Sequence, residues 1–165
     1  MNNTLKFDGT KNYIEVPLIC PANGGGAITV EFWNYVDAAS DSFAFSFADG
    51  QGTTADRVSC HAPWGNGMIY WDCGGTDEKG RVSVSYREYL KKWTHIALVS
   101  NGANTPGYQA IYINGKLIVE KQTSKSPVKQ FKTLLIGAAE SETPNDLKTY
   151  IKTKFHKGQM DQFRV

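Results

Sequence analysis

The stretch that decides the fold reads SCHAPWGNGMIYWDC and covers residues 59–73. Its Asn66-Gly67 dipeptide is favoured in two-residue type I′ hairpin loops, because both loop residues need a positive φ. With these two residues as the loop, His61 faces Asp72 across the two strands. The stretch therefore predicts an antiparallel β-hairpin with a histidine and an aspartate side by side.

Two cysteines flank the predicted hairpin and face each other in the same register. Cys60 and Cys73 would form a non-hydrogen-bonded pair, where cross-strand side chains come closest. A disulfide between them is therefore geometrically permitted. The third cysteine, Cys20, has no partner, and the three cysteines and three histidines lack the spacing of a zinc site.

The register also sorts the hairpin into two faces, because side chains alternate along a strand. The apolar face is expected to pack on the core and comprises Cys60, Ala62, Trp64, Ile69, Trp71 and Cys73. The polar face comprises Ser59, His61, Pro63, Tyr70 and Asp72. A three-residue loop through Gly65 would shift the register by one residue and break this assignment. The sequence leaves that alternative open.

The composition is that of one globular domain, predicted to span residues 1–165. The formal net charge is +2, and no apolar run approaches the roughly 18 to 20 residues of a membrane span. Scattered lysines favour solvated sheet edges over a nucleic-acid surface. No signal peptide is visible after Met1, so the chain is either not secreted by that route, trimmed, or an excised domain.

The rest of the chain consists of short strand-like runs separated by Gly, Pro, Asn and Asp. Alternation marks 28–37, an apolar run marks 93–100, and a second Asn-Gly pair predicts a hairpin at Asn114-Gly115. Loops are predicted at 21–26 and 140–147. About a dozen strands, with turn signals every 8 to 12 residues or so, favour an all-β antiparallel sandwich or barrel.

Seven runs follow one another along the chain: LKFDGTKNYIEV, ITVEFWNYVD, HAPWGNGMIYWDCGG, KKWTHIALVSNG, IYINGKLI, LLIGA and FHKGQMDQFRV. As an ordered set they resemble the concanavalin A-like, laminin G-like jelly-roll domains, and their bacterial and viral branch in particular. The resemblance implies an antiparallel β-sandwich of about 12 to 14 strands in two sheets, with a concave face and rim loops where relatives bind glycans. It also implies an extracellular, cell-surface or virion-surface location as part of a larger protein.

An enzyme is not expected. Glycosidases that share this fold resemble one another in a Glu-x-Asp-x-x-Glu strand, which brings together the two carboxylates that glycoside hydrolysis needs. This sequence has no such strand. A triad of Ser59, His61 and Asp72 is formally open, but an ordinary polar pair across the strands is favoured.

Carbohydrate binding needs aromatic rings beside groups that hydrogen-bond hydroxyls. The polar face of the hairpin supplies such groups, and an aromatic pair lies on the polar side of strand 28–37. The predicted ligand-binding residues are His61, Tyr70, Asp72, Arg81, Trp33 and Tyr35. The alternative for Trp33 and Tyr35 is a second core layer beneath covering loops.

Calcium binding is implied only by the resemblance, since many relatives hold the ion at a rim or edge. Asp8 in a tight turn and Asp161 in the closing strand are the candidate metal ligands. The favoured alternative is an Asx turn at Asp8 and a backbone or arginine partner for Asp161.

Together these patterns predict a non-catalytic, lectin-like carbohydrate-binding surface or adhesion module. Its expected partners are glycans or glycoconjugates, and possible protein partners in a surface assembly. The alternative is a structural or protein-interaction module without a sugar site.

Overall fold

The computed structural model describes residues 4–17, 27–50, 56–102, 107–125, 130–142 and 150–165. Two six-stranded antiparallel sheets dominate this part of the chain. Sheet A contains, in spatial order, β1 (Leu5–Asp8), β14 (Lys157–Arg164), β3 (Ile28–Tyr35), β8 (Thr94–Ser100), β9 (Gly107–Ile113) and β10 (Lys116–Thr123). Sheet B contains β2 (Ile14–Pro17), β11 (Thr133–Ile136), β4 (Phe45–Ala48), β5 (Val58–His61), β6 (Met68–Cys73) and β7 (Arg81–Ser85). The predicted jelly-roll sandwich is confirmed.

The core lies between the inward faces of the sheets, because apolar residues alternate with polar ones along the strands. In β3 the buried Val30 and Phe32 alternate with half-exposed or exposed neighbours. Burial of one such side chain contributes about 1.5–3 kcal/mol relative to exposure. Trp71 of sheet B is fully buried, and its indole Nε1 donates to the Val99 carbonyl of sheet A at 3.0 Å. This bond ties the two sheets together through the core.

The two Asn-Gly pairs of the sequence form different turns. Asn114 and Gly115 both have positive φ, and Ile113 pairs with Lys116, so the predicted two-residue hairpin loop is confirmed there. Asn66 has no positive φ, and Gly67 instead donates its N–H to the Trp64 carbonyl at 2.7 Å.

The predicted register of the first hairpin is therefore wrong by two residues. His61 pairs with Tyr70, and Ser59 pairs with Asp72. The strand β5 ends at His61 because Pro63 has no N–H for the ladder, so the connection to β6 is longer than predicted. Since the side-chain period is two, this shift leaves β5 and β6 with their predicted inward and outward faces.

The disulfide that the sequence permits between Cys60 and Cys73 is not formed in this structure. Cys60 pairs with Trp71, whereas Cys73 pairs with Val58, and both cysteines are buried free thiols. Burial raises the pKa of both thiols, to about 11 for Cys73. Both side chains contribute to the hydrophobic core as small apolar groups.

A two-stranded ribbon lies on the outer face of sheet B, against β4. It consists of β12 (Ala139–Glu142) and β13 (Tyr150–Thr153). The predicted loop at 140–147 is thus a strand at its start, while 143–149 and the predicted loop at 21–26 lie outside the described residues. Within the described part, no helix is long and apolar enough to cross a bilayer.

Candidate functional site

A cleft of about 480 Å³ opens on the outer face of sheet B. Its floor is formed by side chains near or on β5, β6 and β7, one wall by the ribbon, and the other by the loop between β5 and β6. The lining residues are Phe43, Arg57, His61, Trp64, Asn66, Tyr70, Arg81, Ala139, Glu140, Ser141, Thr153 and Lys154.

A buried carboxylate holds two arginines side by side beneath the cleft. Asp72 has no exposed side-chain surface, whereas Arg57 and Arg81 keep 15% and 24% of theirs. Arg57 donates from Nε and Nη2 to Oδ2 of Asp72, at 2.9 and 2.6 Å. Arg81 donates from Nε to Oδ1 at 2.5 Å and from Nη2 to Oδ2 at 2.8 Å. Two positive groups thus share one negative charge.

His61 is oriented by the backbone and is neutral near pH 7. Its Nδ1 lies 2.9 Å from the Ser42 carbonyl, and because a carbonyl only accepts, Nδ1 carries the proton. Its Nε2 is then an acceptor and lies 3.5 Å from Nη2 of Arg57. Burial lowers the pKa of His61 to about 4, and the charges of Arg57 and Arg81 act in the same direction.

Three cations of the cleft each lie against an aromatic ring. The Cζ atom of Arg81 is 4.4 Å from the Tyr70 ring centroid, and that of Arg57 is 5.5 Å from Phe43. Nζ of Lys154 lies 5.4 Å from the Trp64 ring. Such contacts contribute about 0.5–2 kcal/mol each, so they position the rings and the charges together.

The ribbon wall contributes a carboxylate that is already engaged. Glu140 accepts from Nζ of Lys152 at 2.5 Å and from the backbone N–H of Gly50 at 3.2 Å. Ser46 of β4 donates to the Ala138 carbonyl at 3.0 Å, and the Phe43 N–H donates to the Lys154 carbonyl at 2.9 Å. These bonds fix the ribbon against the sheet and give the cleft a firm wall.

A family model described as the concanavalin A-like lectin/glucanases superfamily matches residues 8–165. The chain belongs to this superfamily. No curated protein sequence matches it.

Solved structures of the same fold include a heptameric SAP-like pentraxin from Limulus polyphemus, 16% identical with a TM-score of 0.62 over 96% of this chain and 73% of that one. The botulinum neurotoxin serotype D binding domain is 19% identical, with a TM-score of 0.64 over 98% of this chain and 38% of that one. Domains LG4-5 of the mouse laminin alpha1 chain are 11% identical, with a TM-score of 0.63 over 98% and 40%. This chain therefore spans less than half of the toxin and laminin chains, and at these identities the likeness shows the fold alone.

Within this superfamily fold, the predicted ligand-binding residues fall into two groups. His61, Tyr70 and Arg81 line the cleft, and Asp72 lies buried behind the arginines. The other two predicted residues, Trp33 and Tyr35, do not line the cleft. For all six predicted residues, a role in ligand binding stays a prediction.

Trp33 and Tyr35 lie on the outer face of sheet A, on the opposite side of the sandwich from the cleft. Both side chains are half-buried. Trp33 packs on His95 with 5.4 Å between the ring centroids, and Tyr35 packs on Trp93 with 5.7 Å between the centroids. They therefore do not share one site with the hairpin residues. Nor do they form a covered second core layer, since they keep part of their surface exposed.

Several residues of the cleft are absent from the prediction. Trp64 was expected in the core, but the longer loop places it at the cleft rim, half-buried. The sequence feature that could have indicated this is Pro63, because a proline has no N–H and ends the hydrogen bonding between paired strands. Arg57, Glu140 and Lys154 come from distant segments, and no local pattern marks them.

The Ser-His-Asp arrangement considered from the sequence is not assembled. Both Asp72 oxygens accept from arginines, and Nδ1 of His61 bonds to the Ser42 carbonyl instead. Ser59 lies buried under the cleft opposite Asp72, and no hydrogen-bond partner for its Oγ lies among the described residues. The relay from carboxylate to imidazole to hydroxyl that such catalysis requires is therefore broken.

The two candidate metal ligands do not converge. Asp8 pairs with Lys157, whereas Asp161 lies four residues further along β14, about 13 Å away at strand spacing. Oδ1 of Asp8 accepts three backbone N–H groups, from Thr10, Lys11 and Asn12, and these bonds hold its pKa well below its usual range. In the described part of the chain, no three His, Cys, Asp or Glu side chains are placed to hold a metal ion. The register therefore does not place Asp8 and Asp161 side by side, and calcium binding stays a prediction.

Proposed function

We propose that the chain is a non-catalytic carbohydrate-binding module and that the cleft on sheet B is its sugar site. The observation that carries this proposal is one cleft in which half-buried aromatic rings lie beside fixed hydrogen-bonding groups. Trp64 and Tyr70 supply the rings, and Arg57, Arg81 and Asn66 supply the polar groups. This is the combination that sugar binding requires, because a pyranose has apolar CH faces and polar hydroxyls.

The cleft is also preorganised, which reduces the entropic cost of binding. The arginines are fixed on Asp72 and His61 is fixed on the Ser42 carbonyl. Asn66 donates from Nδ2 to the Tyr70 hydroxyl at 2.7 Å, which orients the hydroxyl and leaves the ring at the floor. A ligand would meet these groups close to their bound positions.

Membership in a superfamily of lectins and glucanases supports a binding role. Two toxin structures of this fold are themselves named as binding domains. The superfamily membership and these two binding domains both agree with a surface or adhesion module, as part of a larger extracellular, cell-surface or virion-surface protein. Glycans or glycoconjugates are the proposed partners.

The test is a glycan array followed by titration of the best sugar against matched tryptophan variants. Trp64→Ala removes the ring at the cleft rim, and Trp33→Ala removes a comparable half-buried ring on the opposite sheet. We expect Trp64→Ala to weaken binding by at least about tenfold, because buried aromatic anchors dominate binding energy. Trp33→Ala should leave the affinity unchanged. An array without any bound sugar, or a loss confined to Trp33→Ala, would refute the cleft as the sugar site.

A second candidate function is protein interaction through the outer face of sheet A. A row of aromatic side chains, Trp33, Tyr35, Trp93 and His95, stays half-exposed there. Aromatic residues are enriched in protein interfaces. If this face is the functional surface, Trp33→Ala abolishes capture of a protein partner, while Trp64→Ala does not.

A further inference from the structure

We propose that the sugar bound in the cleft carries an anionic group, a carboxylate or a sulfate. The inference rests on the proposed carbohydrate function and names the chemical class of its ligand. The cleft itself supplies the evidence, through the number, placement and remaining hydrogen-bonding capacity of its charged side chains.

The charges that line the cleft do not balance. Among the described lining residues, three are cations, Arg57, Arg81 and Lys154, and one is a carboxylate, Glu140. Glu140 is already paired with Lys152 outside the lining. The carboxylate of Asp72 beneath the floor offsets one of the two arginines. The cleft therefore keeps an excess of positive charge facing its interior.

The two arginines that line the cleft retain donors that no described residue accepts from. Each uses Nε and Nη2 on Asp72, and for each the Nη1 amino group has no acceptor within the described part of the chain. A guanidinium presents its donors in a planar fork that matches the two oxygens of a carboxylate or sulfate. Because both Nη2 groups contact the same Asp72 oxygen, the two guanidiniums are adjacent, and one anion can reach both.

Lys154 adds a third cation at the rim of the cleft. Its side chain is exposed, it pairs with no carboxylate in the described residues, and its backbone has a φ of 53, in the left-handed region. Nζ lies over the Trp64 ring at the rim. A cation at this place strengthens the field that an approaching anion meets, since a cleft of one sign raises the local concentration of the opposite charge.

The burial of the two arginines also favours an anionic ligand. Arg57 and Arg81 are largely withdrawn from water, and an ion that is only partly compensated in such a place is costly. A neutral sugar would cover the guanidiniums without neutralising them. An anionic group would neutralise them as it displaces water, so the same cleft favours an acidic sugar over its neutral counterpart.

The experiment compares sugars that differ only in the anionic group. The pairs are glucuronic acid and glucose, and galactose-6-sulfate and galactose, each titrated against the whole chain. Lys154→Gln removes an exposed cleft cation, and Lys116→Gln, on the exposed edge strand β10, removes the same charge away from the cleft. Neither variant touches the buried ion cluster, so both are expected to fold.

At least one acidic sugar should bind about tenfold or more tightly than its neutral partner. Lys154→Gln should reduce that preference several-fold, Lys116→Gln should not, and added salt should weaken the acidic sugar more than the neutral one. Equal affinity for both members of every pair, with binding still lost in Trp64→Ala, would overturn the acidic specificity while the sugar function stands. Binding of no sugar would overturn the proposed function and this inference with it. Inorganic sulfate that binds as tightly as the sulfated sugar would overturn the sugar part of the inference.

Discussion

The most specific prediction concerns how much the buried carboxylate beneath the cleft contributes to the stability of the fold. Replacing Asp72 by Asn keeps the shape of the side chain and removes its charge. Arg57 and Arg81 would then remain side by side, with 15% and 24% of their side chains exposed and no counterion between them. We expect the variant to be strongly destabilised, because each guanidinium loses its charged acceptor and repels the other.

The magnitude follows from the burial of the cluster. Removing one partner of a buried ion pair costs about 3–5 kcal/mol, since the remaining charge is left uncompensated in a poorly solvated place. Urea m-values of small proteins are about 1–3 kcal/mol per molar, so the unfolding midpoint should fall by roughly 1.5–2.5 M at a central m-value. With a total stability of about 5–15 kcal/mol, the variant keeps about 0–12 kcal/mol, so at least about half of its molecules stay folded without denaturant.

The assay is urea unfolding followed by tryptophan fluorescence and circular dichroism, with Asp77→Asn as the matched control. Asp77 also pairs with a cation, Lys125 at 2.7 Å, but both side chains are well exposed. Exposed pairs contribute little, so the midpoint of the control should barely move. Arg81→Gln combined with Asp72→Asn should cost less than the sum of the two single variants, because it also removes the repulsion between the arginines.

A loss of less than about 1 kcal/mol in Asp72→Asn would refute the reasoning. Equal losses in Asp72→Asn and Asp77→Asn would do the same, because burial would then make no difference. Either result would mean that water reaches the ion cluster of Arg57, Asp72 and Arg81 and screens its charges.

Two further predictions concern buried groups away from the cleft floor. His156 is buried, its ring nitrogens have no hydrogen-bond partner in the described residues, and burial lowers its pKa to about 4 from an ordinary 6.5. The unfolded chain therefore binds the proton more readily, so stability should be full above about pH 6.5 and fall by up to about 3 kcal/mol as the pH drops toward 4. His61, with a pKa also near 4, adds to this loss of stability at low pH. His156→Met should therefore flatten the pH dependence of the urea midpoint in part. A pH dependence that is unchanged in His156→Met would count against the burial argument. The second prediction is that Cys60 and Cys73 stay reduced under air and resist alkylation until the chain is unfolded, because both are buried with raised pKa values. Peptide mapping after alkylation checks this; a Cys60–Cys73 disulfide in the folded protein would contradict the observed register.

Local rules were sufficient wherever a residue's neighbours in sequence determine its structure. The alternation over 28–37 predicts a strand with two distinct faces, the apolar run over 93–100 predicts a second strand, and both strands are present as β3 and β8. Asn114-Gly115 forms the two-residue loop that its φ preferences require. The same preference failed at Asn66-Gly67, because the proline three residues earlier ended β5 and moved the turn.

The candidate site was predictable only in part. His61 and Tyr70 could be placed on one polar face because a shift of two residues preserves the alternation. Trp64 could not, since it lies in the loop and follows no period. Trp33 and Tyr35 belong to a similar pattern, but the assembly of the sheets places them on the opposite surface.

By itself, the sequence determined the all-β class, most of the strands, and which hairpin side chains face inward, because these depend on periodicity and on backbone preferences within a few residues. Only the tertiary structure decided which polar groups meet. Arg57, Asp72, Arg81 and Lys154 lie on separate segments, and the pairing of β5 with β6 and of β6 with β7, together with the ribbon on β4, brings them to one cleft. Such meetings depend on contacts between residues that are far apart in sequence, and no local preference encodes those contacts.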